Sequence, residues 1–382
     1  MVTANPIWEI EEKYGQSIWM DNLSRDLIES GKLKELISER GIHGITSNPA
    51  IFEKAIKGNK IYDADIIAGI KAGKSVQEIY ESLIFKDICD ACDIFLPIYE
   101  ETQGVDGYVS IELPPTLARD TEATIAEARR YFKTINRPNV MIKIPGTAEG
   151  FPAVEQVISE GINVNITLLF AVKNYIKAAW AYIGGLEKLA AQAGDVSKVA
   201  SVASFFLSRI DTKVDQILDT KIAATDKPEI KAKLAALKGK VAIANAKIAY
   251  QRYKEIFSSD RFKTLKAKGA KVQRLLWAST STKNPEYSDV MYVDELIGKD
   301  TINTLPPTTI EACADHCHPA NRIESNLEEA YQVIESLKDK DVDIDLDAVM
   351  DELLEEGIDK FVKPFESLMA SLEEKVKQLT AV

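Results

Sequence analysis

The sequence predicts a single (β/α)8 TIM barrel with additional C-terminal helices. Short apolar segments rich in β-branched residues alternate with helical segments, which favours a parallel sheet. Eight such strand segments within roughly 300 residues fit a closed barrel better than an open sheet. An open doubly wound sheet would call for a glycine-rich turn after an early strand, and the chain contains neither a GxGxxG motif nor a P-loop. We therefore expect residues 1–320 to form the barrel and residues 321–382 a helical extension packed on it.

The predicted strands are nearly continuous apolar runs, as expected for a sheet that is covered on both faces. They span residues 17–23, 42–48, 108–113, 140–146, 162–170, 199–207, 272–279 and 301–305.

The helices between these strands are predicted from capping and helix-ending residues. Ser24 is a candidate N-cap for a helix that Gly41 closes, and Asp120 is the N-cap of a later one. Helical segments also fill residues 49–101, with breaks near Gly58 and Gly73, and further helices follow the fourth and fifth strands. A long Ala- and Lys-rich helix is expected over residues 228–257. The tail from residue 308 is predicted to be helical, with a solvated linker at 338–347.

Composition excludes some classes of partner. Of the 382 residues, 46% are hydrophobic, which is enough for a large core, and the net charge is −12. A surface this acidic disfavours nucleic acid and anionic membranes, so we expect neither as a partner. A phosphate-bearing metabolite remains a suitable ligand because it needs only a few cations in one pocket.

The chain is expected in the cytoplasm. Residues 1–16 lack a basic start followed by an apolar core, so we expect no signal peptide. No apolar run approaches the roughly 20 residues that a membrane helix needs. Four cysteines in a chain of this size do not make a disulfide framework, so a reducing compartment such as the cytoplasm is expected. Both a monomer and a homodimer are compatible with these features.

Lys143 stands in the middle of the predicted strand VMIKIPG. Charged residues are rarely buried without a partner or a task, so the simple alternative is a lysine whose ammonium reaches solvent. Burial of an amine favours its neutral form, which can attack a carbonyl carbon.

Polar residues at the ends of the other strands favour the chemical role. In a barrel of this kind, catalytic residues lie at the carboxyl ends of the strands. Seven successive predicted strands carry polar residues there: Asp21, Thr46 to Asn48, Glu112, Lys143, Asn165 with Thr167, Ser204, and Ser279 with Ser281. Each has an ordinary explanation as a cap or a buried hydroxyl, but together they converge on one mouth around a lysine.

An amine in such a site suits imine chemistry on a ketone or aldehyde. A relay of Glu112, Thr167 and water could move the protons that imine formation requires, and Asp21 is the candidate acid/base for carbon–carbon bond chemistry. The amides of Asn48 and Asn165 suit substrate hydroxyls. A second group of residues could hold a phosphate through charge-assisted hydrogen bonds. This group contains Arg209, Ser279, Ser281 and Lys283.

The chain resembles the transaldolase family, in its long bacterial form, over about 300 residues. The segments that carry the resemblance are GITSNPAIF, VMIKIPGTAEG, NVNITLLF, ASFFLSRID and WASTSTKNPEYSD. The resemblance implies a class I aldolase barrel that transfers a dihydroxyacetone unit from sedoheptulose 7-phosphate to glyceraldehyde 3-phosphate, with no metal or organic cofactor.

The resemblance also implies residue roles. Lys143 would form the Schiff base, Asp21 would be the acid/base for cleavage, and Glu112 and Thr167 would handle the water. The other roles concern binding: Asn48, Asn165 and Ser204 for the dihydroxyacetone moiety, and Arg209 and Ser279 for phosphate.

One departure from the family pattern concerns phosphate. Short-form relatives carry an arginine two residues after the phosphate-binding serine, where this chain has Ser281. Lys283 is the candidate to supply the missing charge, although a lysine lacks the bidentate fork of arginine.

Two alternatives stay open. A fructose-6-phosphate aldolase would release free dihydroxyacetone, but such aldolases tend to place a tyrosine in the segment where this chain has Phe206. A non-catalytic or metal-binding barrel could use cysteine and histidine, because Cys313, His316, Cys317 and His318 cluster near one another, and Cys89 and Cys92 form a CxxC pair. However, Cys89 and Cys92 lie in a segment with helical spacing, so each can simply be a core residue.

Overall fold

Eight parallel strands close into a barrel in which each strand pairs with its neighbour in sequence and β8 pairs with β1. The structure is a computed structural model that describes residues 5–380. The strands are β1 Gln16–Asp21, β2 Ile42–Thr46, β3 Val109–Glu112, β4 Val140–Pro145, β5 Val164–Leu169, β6 Ser201–Phe206, β7 Arg274–Ala278 and β8 Thr301–Leu305. The predicted barrel and all eight predicted strands are confirmed.

Helices surround this barrel. In chain order they are α1 Pro6–Tyr14, α2 Arg25–Glu29, α3 Lys32–Arg40, α4 Pro49–Ile56, α5 Asp63–Lys71, α6 Val76–Glu101, α7 Thr121–Ile135, α8 Gly150–Ile158, α9 Val172–Ala191, α10 Ser208–Ala223, α11 Pro228–Ala235, α12 Val241–Ile256, α13 Asp260–Lys266, α14 Met291–Asp294, α15 Pro307–His316, α16 Leu327–Ser336 and α17 Leu346–Thr380. The predicted breaks near Gly58 and Gly73 fall between α4 and α5 and between α5 and α6.

Side-chain caps explain where several helices begin. The Ser24 hydroxyl accepts a hydrogen bond from the Leu27 amide, and the Asp120 carboxylate accepts one from Ala123. Ser75 starts α6 with a full capping box, in which its hydroxyl accepts a hydrogen bond from the Glu78 amide and the Glu78 carboxylate accepts one from the Ser75 amide. These contacts pair amide groups that the first helical turn leaves without partners.

Two long helices of the prediction are wrong in their interior. The helix between Ser24 and Gly41 is two helices, α2 and α3, which meet at Gly31 with a φ of 79°. The helix expected over 228–257 is likewise divided into α11 and α12, with Gly239 between them at a φ of 71°. Glycine adopts a positive φ at little energetic cost, so the chain turns at each of these residues. The periodicity of polar and apolar residues alone predicts a continuous helix across both positions.

The amino end of the barrel is closed by a buried ionic cluster. Asp106 accepts hydrogen bonds from the Trp19 indole (2.7 Å), the Ser17 hydroxyl and the Arg274 guanidinium (3.4 Å). The His43 imidazole lies 2.7 Å from a carboxylate oxygen of Glu11. Every charge here has an opposite partner, and the amino end of such a barrel is not the end at which catalytic residues lie.

The 35-residue helix α17 packs across the other end. Leu353, Phe361 and Leu368 are buried along it, and it contacts α4, α6, α10 and β5. C-terminal helices on a barrel are thus confirmed, while a domain boundary at residue 320 stays a prediction. No helix within residues 5–380 combines the length and apolarity needed to cross a membrane.

Candidate active site

A cavity of about 620 Å³ opens at the carboxyl end of the barrel. Its wall contains ten of the predicted site residues: Asp21, Asn48, Lys143, Thr167, Ser204, Phe206, Arg209, Ser279, Ser281 and Lys283. The other two predicted residues, Glu112 and Asn165, lie on the strands that flank β4, in register with Lys143. Since register alignment puts same-face neighbours about 5 Å apart, strand pairing alone gathers these side chains.

Lys143 points into this cavity from β4. Its side chain is almost fully buried, and its ammonium nitrogen donates a hydrogen bond to the Ser47 carbonyl oxygen at 2.9 Å. A Glu112 carboxylate oxygen lies 3.9 Å from the same nitrogen. The amine therefore has a carboxylate beside it and an open space in front of it.

Glu112 and Thr167 have unused polar atoms. Within residues 5–380, neither carboxylate oxygen of Glu112 nor the Thr167 hydroxyl has a hydrogen-bonding partner. Burial raises the pKa of Glu112 to about 7, although Lys143 lowers it. A buried polar atom without a partner is costly, so these atoms are suited to water or substrate.

Asp21 ends β1 on the far side of Lys143. Its carboxylate accepts a hydrogen bond from the Thr46 hydroxyl at 2.7 Å, and Thr46 also shares a hydrogen bond of 2.6 Å with Thr304. Burial raises the pKa of Asp21, while Lys143 and the Thr46 hydrogen bond oppose that rise. These threonines fix the position of a carboxyl group that holds its proton more readily than usual.

A row of neutral hydrogen-bonding groups completes the floor of the cavity. The Asn165 amide donates to Ser110 at 3.1 Å and accepts from the Ser204 hydroxyl at 2.6 Å. Asn48 caps α4, with its side-chain oxygen accepting from the Ile51 amide at 3.0 Å. The cap uses the oxygen of Asn48 and leaves its amide group available for a ligand.

Arg209 forms the cationic side of the cavity. Its guanidinium carbon lies 5.1 Å from the ring centre of Phe206 and 5.9 Å from that of Phe361. Its Nη1 atom is buried and has no hydrogen-bonding partner within residues 5–380. Burial lowers the pKa of Arg209, and guanidinium remains charged at any physiological pH.

The loop after β7 lies next to Arg209. Ser279 has a φ of 54° and shares a hydroxyl hydrogen bond of 2.7 Å with Ser208. The Lys283 ammonium donates to the Ser281 hydroxyl at 2.5 Å. Burial and the neighbouring Arg209 charge lower the pKa of Lys283. Two cations and several hydroxyls thus face one side of the cavity, which suits a phosphate group.

Several cavity residues were missed by sequence reasoning. Thr304 ends β8 and could have been found, because the strand-end argument applies to the eighth strand as well as to the first seven. Thr280 and Ser208 adjoin predicted residues and also line or border the cavity. Phe361 and Lys360 reach it from α17, and no local pattern in the tail indicates that contact.

The cysteine and histidine cluster lies at and just after the end of α15. Cys313 and Cys317 are buried, and the His316 imidazole contacts Asp289 at 2.8 Å and Asp315 at 3.0 Å. Among residues 5–380, no group of three or more His, Cys, Asp or Glu side chains is arranged to hold a metal ion. Cys92 lies in the core face of α6, as its helical spacing predicted.

Comparison with known proteins agrees with this geometry. The family model described as Transaldolase/Fructose-6-phosphate aldolase matches residues 18–372. The chain belongs to that family. It is 69% identical over 382 residues to a protein named Transaldolase from Trichodesmium erythraeum (strain IMS101), covering 100% of both chains. It is 68% identical, with the same coverage, to Transaldolase 2 from Nostoc sp. (strain PCC 7120 / SAG 25.82 / UTEX 2576).

More distant members match over nearly the same length. A protein named Transaldolase from Saccharopolyspora erythraea is 45% identical over 378 residues, which is 99% of this chain and 100% of that relative. The family membership inferred from the sequence motifs is confirmed.

Proposed function

We propose that the protein is a transaldolase of the non-oxidative pentose phosphate pathway. It transfers a dihydroxyacetone unit from sedoheptulose 7-phosphate to glyceraldehyde 3-phosphate, giving erythrose 4-phosphate and fructose 6-phosphate. The observation that carries this proposal is the buried Lys143 amine, 3.9 Å from the Glu112 carboxylate and opposite a cationic wall. The names and full-length similarity of the relatives support the same activity.

The first step is imine formation at Lys143. The neutral amine attacks the C2 carbonyl carbon of the ketose phosphate, and the carbinolamine then loses its hydroxyl as water. Glu112 and Thr167 pass the protons through a water molecule, which their unpartnered oxygens suit. A Glu112 pKa of about 7 keeps both the acid and the base form populated at neutral pH.

The second step breaks the C3–C4 bond. The Asp21 carboxylate removes the proton of the C4 hydroxyl, the bonding electrons move into the imine, and an aldose phosphate leaves. The remaining enamine stays on Lys143 until its carbon attacks the aldehyde of the acceptor. Asp21 then returns its proton to the new hydroxyl group.

Binding groups account for sugar phosphates as the substrates. Asn165, Ser204 and the Asn48 amide suit the hydroxyl groups of the dihydroxyacetone moiety. Arg209, Ser279, Ser281 and Lys283 suit the phosphate of donor and acceptor, with Lys283 in the place of a second arginine. No organic cofactor takes part in these steps. We further propose a cytoplasmic enzyme that is a monomer or a homodimer.

Fructose-6-phosphate aldolase is the second candidate, because the family description includes it. The difference lies in whether water discharges the imine before an acceptor arrives. Phe206 packs its ring 5.2 Å from Phe170 and presents no hydroxyl that could orient water. The absence of such a hydroxyl favours transfer of the dihydroxyacetone unit to an acceptor over its release into water.

Borohydride trapping tests the proposal. Incubation with fructose 6-phosphate and borohydride should attach a reduced dihydroxyacetone or hexose adduct to Lys143, identified by mass spectrometry. Rapid turnover should require an aldose phosphate acceptor. The Lys143→Ala variant should lose both, whereas the exposed control Lys133→Ala should keep both. Efficient release of free dihydroxyacetone without an acceptor would assign the protein to the aldolase activity instead.

A further inference from the structure

Phe361 is an aromatic residue of α17 that enters the active-site cavity from outside the barrel. Its side chain is buried, and its ring centre lies 5.9 Å from the Lys143 ammonium nitrogen and 5.9 Å from the Arg209 guanidinium carbon. One ring therefore lies within the distance of cation–π attraction of both the Lys143 amine and the Arg209 guanidinium.

Close packing of α17 brings the ring to this position. Gly357 is one helical turn before Phe361, and a Cβ atom there would lie 2.8 Å from a Leu168 side-chain carbon and 3.5 Å from Arg209 Nη1. The Leu168 side chain would have to move to admit that Cβ atom, whereas 3.5 Å from Arg209 is an ordinary van der Waals distance, so glycine lets α17 lie directly against Leu168 of β5 beside Arg209. Two ion pairs also anchor the helix, since the Lys213 ammonium lies 2.7 Å from Glu352 and 2.6 Å from Glu356.

The two rings leave one edge of the Arg209 guanidinium free. Phe206 and Phe361 both lie within the distance at which a cation is attracted to an aromatic face. The rings cannot accept the in-plane hydrogen bonds of the guanidinium, so Nη1 remains available to a phosphate oxygen. An arginine held in this way loses less conformational freedom when phosphate binds.

The same ring occupies volume near the Lys143 amine. In the hydrolysis that competes with transfer, the enamine carbon takes a proton, water adds to the imine carbon, and the C–N bond breaks to release dihydroxyacetone and the free amine. A phenyl ring beside this position excludes water and offers it no hydrogen bond.

We propose that Phe361 is a positioning residue that orients Arg209 for phosphate and favours transfer over hydrolysis at Lys143. This inference rests on the proposed transaldolase function. It makes α17 part of the active site rather than only a cover packed on the barrel.

Phe361→Leu and Phe361→Met test the inference, because both remove the aromatic face and keep an apolar side chain. We expect KM for fructose 6-phosphate to rise about fivefold, the effect of losing about 1 kcal/mol of cation–π attraction. Inhibition by inorganic phosphate should weaken by a similar factor. The ratio of dihydroxyacetone release to transfer should rise, while borohydride still labels Lys143.

Phe365→Leu is the matched control. Phe365 lies one turn further along α17 and packs edge-on against Tyr80 at 5.6 Å, away from the cavity. Its loss should leave KM, phosphate inhibition and the ratio of release to transfer unchanged, and should lower only the thermal stability. Phe361→Tyr, which keeps the ring face, should restore KM and phosphate inhibition.

The outcomes separate this inference from the function on which it rests. Absence of labelling or acceptor-dependent transfer in the wild-type protein would overturn the proposed function. A functional wild-type enzyme with Phe361→Leu and Phe361→Met indistinguishable from Phe365→Leu would overturn the role of Phe361 alone. Failure of both Phe361 variants to fold, judged by circular dichroism, would also overturn it by showing a purely structural ring.

Discussion

Replacing Glu112 with glutamine should make the protein more stable at alkaline pH and less active. Burial raises the pKa of Glu112 from 4.5 to about 7. At a pH between 4.5 and about 7, Glu112 keeps its proton in the folded protein but has already lost it in the unfolded chain. The free energy of unfolding contributed by this residue is therefore fully present below about pH 4.5 and is lost as pH rises through about 7. Glutamine cannot ionise, so the Glu112→Gln variant is free of that loss.

The size of the effect follows from the two pKa values. A pKa that rises from 4.5 to about 7 corresponds to about 3 kcal/mol of destabilisation once Glu112 is fully ionised. This figure already includes the attraction of Lys143, which lowers the pKa and which the variant also loses. In a chain of this length, about 3 kcal/mol corresponds to a change of about 4 °C in Tm.

Thermal unfolding of both proteins from pH 4.5 to 8.5 measures this difference. The two melting temperatures should be close at the acid end, and the variant should exceed the wild type by about 4 °C at pH 8. The control Glu366→Gln, on an exposed position of α17, should follow the wild type at every pH. A Glu112→Gln variant that melts at or below the wild-type temperature at pH 8 would refute the argument, because the carboxylate would then stabilise the fold.

Three further predictions concern other charged residues. Asp21→Asn should still form the trapped imine but lose kcat by about 10²- to 10⁴-fold in acceptor-dependent transfer, and loss of trapping would argue for a role before cleavage. Arg209→Lys should raise KM for phosphorylated substrates about tenfold with a smaller change in kcat, because lysine lacks the bidentate fork; an unchanged KM would remove Arg209 from the phosphate site. Burial lowers the pKa of His43, but Asp106 and Glu11 outweigh it and raise the pKa from 6.5 to about 10. The stabilisation by the protonated His43 imidazole is fully present below about pH 6.5 and is lost as pH rises through 10. Tm should therefore fall between these pH values in the wild type, and fall less in His43→Gln. Equal slopes of Tm against pH in the two proteins would contradict this prediction.

Most of the barrel could be predicted from the sequence because strand burial leaves a local pattern. The apolar runs of β4 and β5 are distinct from the helices around them, and alternation then favours a parallel barrel. Helix interruptions were harder to predict. Gly31 and Gly239 turn the chain through a positive φ within stretches whose composition favours helix, and composition does not show which glycine adopts that conformation.

The site was predictable where its residues belong to the barrel strands. Glu112 and Lys143 come together through strand register, so their positions in the chain suffice to predict their proximity. Phe361 was not predictable in the same way, because its contact with the site depends on how α17 crosses the barrel. The positive φ of Ser279 is equally invisible in sequence, although it sets the direction of that hydroxyl.

The seam between β1 and β8 has a consequence for folding kinetics. The Gln16 side chain donates a hydrogen bond to the Leu296 carbonyl over a sequence separation of 280 residues. Contacts between residues so far apart in sequence form slowly, because the entropy of closing the intervening chain is lost first. Asp21 and Thr304 lie on the two strands of this seam and are joined through Thr46. Catalytic activity should therefore return among the last signals during refolding, after most of the helical circular dichroism has recovered.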